Sequence, residues 1–188
     1  MLILASLSPR RKELIGRLGI PFEVCPADID ESALAETDPE RTVLALSRLK
    51  ALAVAAEHPK DVVLGADTVV AADGKILGKP ASREEAAEML RRLSGRSHRV
   101  FSGFTLISKD KAVSRAVVTT VHFAPLTDLE IERYLDSGEP FDKAGAYGIQ
   151  GLGGLFDTHI EGDYNAVVGL PLQAVYTVLK EEFGVVFK

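Results

Sequence analysis

Cysteine occurs once in 188 residues, at Cys25. One thiol allows no disulfide within the chain and no cysteine metal cluster, and it suits a reducing compartment. No apolar run approaches the ~18 residues that a membrane-spanning helix needs. Met1 to Ala5 is too short for the apolar region of a signal peptide, and the positive charges follow it instead of preceding it. The expected location is therefore cytoplasmic. Positive charge is not in excess: 22 Lys and Arg stand against 27 Asp and Glu, a net charge of −5. That balance argues against general binding to nucleic acid or to anionic membranes, and any basic patch must be local. The four histidines, His58, His98, His122 and His159, show no HExxH spacing, which leaves a zinc site without support. Walker A, GxGxxG and GxSxG patterns are also missing, which argues against P-loop, dinucleotide and α/β-hydrolase enzymes.

What is present begins at the first residues. Leu2-Ile3-Leu4-Ala5 reads as a buried strand that runs into Ser6-Leu7-Ser8-Pro9-Arg10-Arg11-Lys12. Ser8 is placed as a helix N-cap and Pro9 as the first helical residue, where a missing N–H costs nothing. The helix is expected to reach about Leu18, with Gly19 as a left-handed C-cap. Three cations occupy its first turn, the end at which the helix dipole favours anions. Their position suggests a polyanion held by N–H groups, hydroxyls and guanidiniums, the alternative being a solvated basic turn.

The rest of the chain reads as one domain, without repeats, linkers or low-complexity stretches. Phe22–Val24 is a short strand before the acidic loop Asp28–Glu31, and Asp38-Pro39 opens a long helix. Val43, Leu46, Leu49, Leu52 and Ala53 form its apolar stripe, with Arg41, Arg48 and Lys50 off it. Val62–Val70 is a strand, Asp73-Gly74 a hairpin turn and Lys75–Leu77 the return strand. Ser82 with Glu85, and Thr127 with Glu130, are capping boxes for helices closed by Gly95 and Gly138. Two long strands, about 98–108 and 112–123, lie between them. The stretch from Gly138 to Gly154 has no periodicity, and loops of such length are usually functional or disordered. A strand near His159, a helix from Pro171 to Phe183 and a terminal strand at Val185-Val186-Phe187 complete the chain. Mixed strands and helices of this kind indicate an α/β or α+β sheet core with a cleft.

Three constellations carry chemistry. Asp67 places a charge in the apolar run Gly65–Val70, which is costly unless that charge is paired or meets a cation. A hard divalent cation takes such oxygens, and Glu31 offers a second source; the alternative is an Asp paired with a nearby Lys or Arg. Gly78-Lys79-Pro80 holds Lys79 in one direction as a point charge for phosphate, or as a plain surface lysine. In Glu139–Gly151, the glycines permit close backbone approach to a ligand. Tyr147 is suited to pack near a base, and the Gln150 amide to meet an imide edge with one donor and one acceptor.

Taken in order, these segments resemble the Maf family of nucleotide pyrophosphatases. The resemblance rests on Ala5-Ser6 with Ser8–Arg11 and Glu13-Leu14, Gly65–Val70, Gly78–Pro80, Leu93–Gly95 with His98–Val100, Asp142–Gly151 and Ala166–Pro171. It implies an elongated α/β fold, with a central mixed β-sheet flanked by helices and a cleft between two lobes, often as a homodimer. It also implies cleavage of a nucleoside triphosphate to the monophosphate and pyrophosphate with Mg²⁺ or Mn²⁺. Asp67 would be the general base and a metal contact, with Glu31 as the second acidic ligand. Arg10, Arg11, Lys50 and Lys79, with Ser6 and Ser8, would hold the phosphates. Arg10, Thr68 and Gln150 resemble the subgroup acting on dTTP and UTP. Leu7 departs from the family pattern, which has a small or polar residue there. The rival expectations are a non-catalytic nucleotide-binding regulator of cell division and a phosphatase releasing orthophosphate.

Overall fold

The apolar stretch Val62–Ala72 forms β3, the strand around which the chain is arranged in a computed structural model that describes residues 1–31, 34 and 36–187. On one edge, β1 (Leu2–Leu4) pairs with it in parallel, and β2 (Phe22–Val24) pairs in parallel with β1. Leu2, Ile3 and Leu4 are all buried, as a continuous apolar run between two neighbours requires. After the Asp73-Gly74 turn, β4 (Lys75–Leu77) folds back antiparallel on the far end of β3. Both turn residues have positive φ, as a two-residue hairpin of the I′ kind demands. On the other edge run β5 (Ser97–Ser108), β6 (Lys111–Phe123) and β7 (Asp157–Glu161), each antiparallel to its neighbour. The result is the mixed sheet of the α/β fold expected, with seven strands.

Side-chain alternation along β3 decides what lies on each face. Leu64, Ala66 and Val70 join the larger core, which contains residues of α1 (Pro9–Gly16), α3 (Arg83–Leu93), α4 (Asp128–Asp136) and α6 (Leu172–Phe183). Val63, Val69 and Ala71 face the opposite way, where α2 (Pro39–Ala55) covers the sheet. That helix lies close because β3 and β5 present Gly65 and Gly103 beneath it. A Cβ on Gly65 would overlap Ser47 O, and one on Gly103 would lie 2.6 Å from Val43 O.

This close approach corrects the expected stripe of α2. Leu49 and Leu52 are exposed, while Val43, Leu46, Ser47, Ala51 and Val54 are buried. The small residues Ser47 and Ala51 occupy the contact with Gly65, so the buried face is rotated from the one that hydrophobicity alone selects. Lys50 consequently lies at the buried edge of the helix, its side chain only 12% exposed.

Other boundaries shift for local reasons. The first helix stops at Gly16, and Gly19 with φ 64° ends the turn after it. Thr127 and Glu130 form the complete capping box, but Glu85 takes the N–H of Ala81 and not that of Ser82. Val185-Val186-Phe187 makes no strand. The left-handed Gly184 turns the chain back on α6, Val185 N–H caps Leu179 O, and Phe187 packs beside Tyr176. Among the described residues, no helix is long and apolar enough to cross a membrane.

The pairing along β3 is interrupted on one edge. β1 pairs with β3 only at residues 62–64, and β4 only at 70–72. On that edge, residues 66–69 meet no strand among the described residues, so side chains from both faces of β3 reach a common opening. The lobe with β1, β2 and α1 lies on one side of it. On the other side lie β4 and the irregular segment 138–155, wound into short 3₁₀ turns at Glu139–Asp142, Ala144–Ala146 and Leu152–Leu155.

Candidate active site

The opening beside β3 is a cleft of about 680 Å³, within the usual size of a small-molecule site. Its floor is Asp67, 8% exposed, on the α2 face of the strand. Lys50 Nζ donates to Asp67 Oδ1 at 2.7 Å and lies 2.9 Å from Glu31 Oε1. The pairing expected as the alternative is present, since the Asp67 carboxylate meets a lysine, and Asp67 also lines the cleft. Two carboxylates from separate segments converge on one cationic point.

The suitability of that pair for a divalent cation follows from its donors. Among the described residues, no group of three or more His, Cys, Asp or Glu gathers to hold an ion. Two converging carboxylates, already gathered around a positive charge, fit Mg²⁺ or Mn²⁺ of the kind that takes its remaining ligands from water and substrate phosphates. They do not form an all-protein cage.

The basic wall comes from α1. Ser8 Oγ accepts the Arg11 N–H as the N-cap, and Ser6 Oγ accepts that of Ser8. Arg11 turns inward: Nε donates to Gly169 O at 2.9 Å, and the two terminal nitrogens donate to Ser6 Oγ and Thr68 Oγ1. Burial pulls its guanidinium below the ordinary value, and the Asp67 charge pushes it back up. Arg10 crosses the mouth toward Asp142, 3.6 Å away. Lys79 is exposed at the rim without an ion-pair partner among the described residues. Ser6 lines an adjoining recess of about 380 Å³, which shares Ser8, Arg10, Arg11, Lys50 and Lys79 with the main cleft.

Thr68 points to the other face of the sheet. Its hydroxyl lies 2.8 Å from Ser102 Oγ, which donates to Ala166 O, and 3.3 Å from Gly169 O. The opposite wall is the irregular segment. Gln150 is exposed there, and its amide makes no hydrogen bond within the chain among the described residues. Tyr147 also lines the cleft but is anchored in the core: its hydroxyl is 2.8 Å from His98 Nε2, and its ring packs edge-on against Phe123. Burial pulls His98 down to about 4, with the neighbouring His122 adding to the effect, and its Nδ1 has no partner among the described residues.

The structure thus gathers Ser8, Arg10, Arg11, Glu31, Lys50, Asp67, Thr68, Lys79 and Gln150 around one cleft, with Ser6 in its side recess. Glu139, Asp142 and Lys143 line the cleft too, and sequence reasoning did not single them out. The signal available was their density of charge directly after Gly138. Burial pushes the Glu139 carboxyl up, yet N–H bonds from Gly153 and Leu152, the Tyr134 hydroxyl and the charge of Lys143 hold it below its usual value. Asp142 is likewise held low, first by its bond from Lys143.

Comparison with known proteins identifies relatives of this chain. Residues 1–182 match the family described as Maf-like protein. A dTTP/UTP pyrophosphatase of Bacillus mycoides (strain KBAB4) is 50% identical over 180 residues, covering 96% of this chain and 94% of that protein. Another protein of that name, from Bacillus cytotoxicus, is 50% identical over 179 residues, covering 95% and 94%. Among solved structures, a HAM1 protein from Coxiella burnetii superposes with a TM-score of 0.51 at 16% identity, covering 96% of this chain and 98% of that one. That last likeness concerns the fold alone.

Proposed function

This chain belongs to the Maf family, and from that premise we propose that it hydrolyses dTTP and UTP to the monophosphate and pyrophosphate. The observation that carries the reading is the set of groups that line one cleft: a carboxylate pair on Lys50, a basic wall, and a Gln150 amide without a partner among the described residues. A nucleoside triphosphate presents the matching groups, charged phosphates and a base with the reacting α-phosphorus between them.

Arg10, Arg11, Lys50 and Lys79 hold the phosphates, and Ser6 and Ser8 line the same end. Phosphoryl chemistry asks the protein mainly for positioning and charge neutralisation. Asp67 and Glu31 would hold Mg²⁺ or Mn²⁺, which would neutralise phosphate charge and acidify a water. Asp67 Oδ1 is held by Lys50, while Oδ2 has no partner among the described residues. Oδ2 takes the proton as the water oxygen bonds to the α-phosphorus. The bond from that phosphorus to its bridging oxygen breaks, and pyrophosphate departs.

Base choice falls to Gln150 and Arg10. The Gln150 amide offers one acceptor and two donors, which match the N3–H and the 4-oxo group of uracil or thymine. The Thr68 hydroxyl is already engaged, so its part is to fix Gly169 and Arg11 at the cleft wall.

Product analysis of the purified protein with each standard triphosphate, in Mg²⁺, Mn²⁺ and chelator, tests the reading. Monophosphate plus pyrophosphate from UTP and dTTP, lost with chelator, is the expected outcome. Binding without turnover would point instead to a nucleotide-dependent regulator, and orthophosphate to attack on the terminal phosphorus.

A further inference from the structure

Gln150 has no bond of its own within the described chain, so its direction depends on what holds the backbone around it. Besides the main-chain bonds from Gly151 to Gly148 O and from Gly154 to Gly151 O, four hydrogen bonds through side chains do this, three of them to one carboxylate. Glu139 Oε2 accepts the N–H of Leu152 at 2.9 Å, and Oε1 accepts that of Gly153 at 3.1 Å. Oε1 also accepts the Tyr134 hydroxyl at 2.8 Å, and the Tyr134 oxygen accepts the N–H of Gly148 at 3.0 Å. Ile149-Gln150-Gly151 is therefore pinned on both sides. The fit is tight, since a Cβ on Gly151 would overlap Glu139 Oε2. Lys143 Nζ in turn donates to Glu139 O at 2.8 Å, which fixes the turn carrying the carboxylate.

We propose that Glu139 is the positioning residue for base selection, holding the Gln150 turn through Tyr134, Leu152 and Gly153. The inference rests on the proposed role of Gln150 in reading a uracil or thymine base. Three donors share the two carboxylate oxygens, and an amide cannot replace that arrangement. Its single oxygen accepts at most two of them, and its NH₂ group faces the third donor. A loosened reader loses discrimination between bases that differ at one polar edge, because matched and mismatched groups then cost nearly the same. Chemistry at Asp67 lies outside this network and should be spared.

The test compares kcat/KM for UTP and CTP in the wild type, Glu139→Gln and Tyr134→Phe, with thermal melts to establish folding. Removing the Glu139 charge from the cleft affects every triphosphate alike, so the ratio is the informative reading. Glu139→Gln is expected to reduce the UTP preference by about tenfold through KM, with kcat for UTP kept within about threefold. Tyr134→Phe breaks only its own two bonds and is expected to reduce the preference by about threefold. It decides the matter if Glu139→Gln does not fold. A folded Glu139→Gln with the wild-type ratio overturns the inference, as does a loss confined to kcat and equal for both nucleotides. If Glu139→Gln does not fold, an unchanged ratio in Tyr134→Phe does the same. A wild type without preference between UTP and CTP refutes the base reading itself, an outcome distinct from failure of Glu139 alone.

Discussion

At the acidic end of the cleft, Arg11, Lys50 and Asp67 come from three elements. Their contacts join residues 17, 57 and 158 positions apart, from Lys50 to Asp67, Arg11 to Thr68 and Arg11 to Gly169. At the other end, Tyr134, Glu139, Gly148 and Gly153 meet over separations of 5 to 14 positions. The first end exists only once the sheet has assembled and α1 and α2 have docked on it. The second is a local device, wound from one segment and held by main-chain N–H groups. On the proposed reading, a construction of this kind separates chemistry from choice. Changes in the local segment can alter which base is accepted while leaving the phosphate end in place, and changes on the sheet affect every substrate together.

Asp67→Asn should break the long-range end most severely. The amide keeps the volume and can still accept from Lys50, but it takes no proton and is a poor metal ligand. Turnover is expected to fall by about 10²–10⁴-fold, the usual worth of a general base, for all nucleotides in the same proportion. Single-turnover rates with UTP, dTTP and CTP check this. Full metal-dependent turnover in the variant would remove Asp67 from the mechanism.

Acid should weaken the local end through His98, which supports Tyr147 beneath the cleft. Its pKa falls from an ordinary 6.5 in the unfolded chain to about 4 in the fold. Between those values the unfolded chain binds a proton that the folded protein refuses, so stability drops as pH falls through this window and levels off below about 4. The loss amounts to at most about 3 kcal/mol. Urea midpoints from pH 7.5 to 4.5 should show it in the wild type, and His98→Gln should be flatter over the same range. Equal slopes would mean that His98 is charged in the fold.

Much of the long-range end was legible because its residues violate local rules. Asp67 stands out as a charge inside an apolar strand, and Arg10 and Arg11 as cations at a helix start. Lys50 was recognisable as a cation but misplaced with respect to α2. The contact of that helix is made by Ser47 and Ala51 over Gly65 and by Val43 over Gly103, and small residues such as Ser47 and Ala51 carry no weight in a hydrophobic stripe. The local end was legible only as a glycine-rich stretch without periodicity. Gln150 could be named from its amide, but the role of Glu139 depends on bonds to main-chain N–H groups. Every residue except proline offers such a group, so the sequence carries no mark of which ones are used.

Gln150→Glu should sharpen the contrast at the local end. A carboxylate cannot donate to the 4-oxo group of uracil, and the mismatch leaves buried polar groups unpaired at about 1–3 kcal/mol. Turnover of UTP and dTTP is expected to fall by about 10- to 100-fold, with thermal stability nearly unchanged because the side chain is exposed. An equal loss for every nucleotide would assign Gln150 to the phosphates and erase the distinction between the two ends.

Thr68→Val is the smallest effect and decides to which end Thr68 belongs. The change keeps the shape and removes one hydroxyl. Arg11 loses the contact of one terminal nitrogen but keeps Gly169 O and Ser6 Oγ, and Ser102 keeps Ala166 O. The stability cost should be about 1 kcal/mol, a fall of about 2–4 °C in melting temperature for a chain of this size. With its single proton shared between Ser102 and Gly169, the hydroxyl has none for a base. The UTP-to-CTP ratio should therefore change by less than about threefold, with KM rising modestly for both as Arg11 loosens. A tenfold loss of the ratio would instead place Thr68 with Gln150. The selective surface would then extend from the local segment onto the sheet itself, and base choice could no longer be altered without touching the strand that carries Asp67.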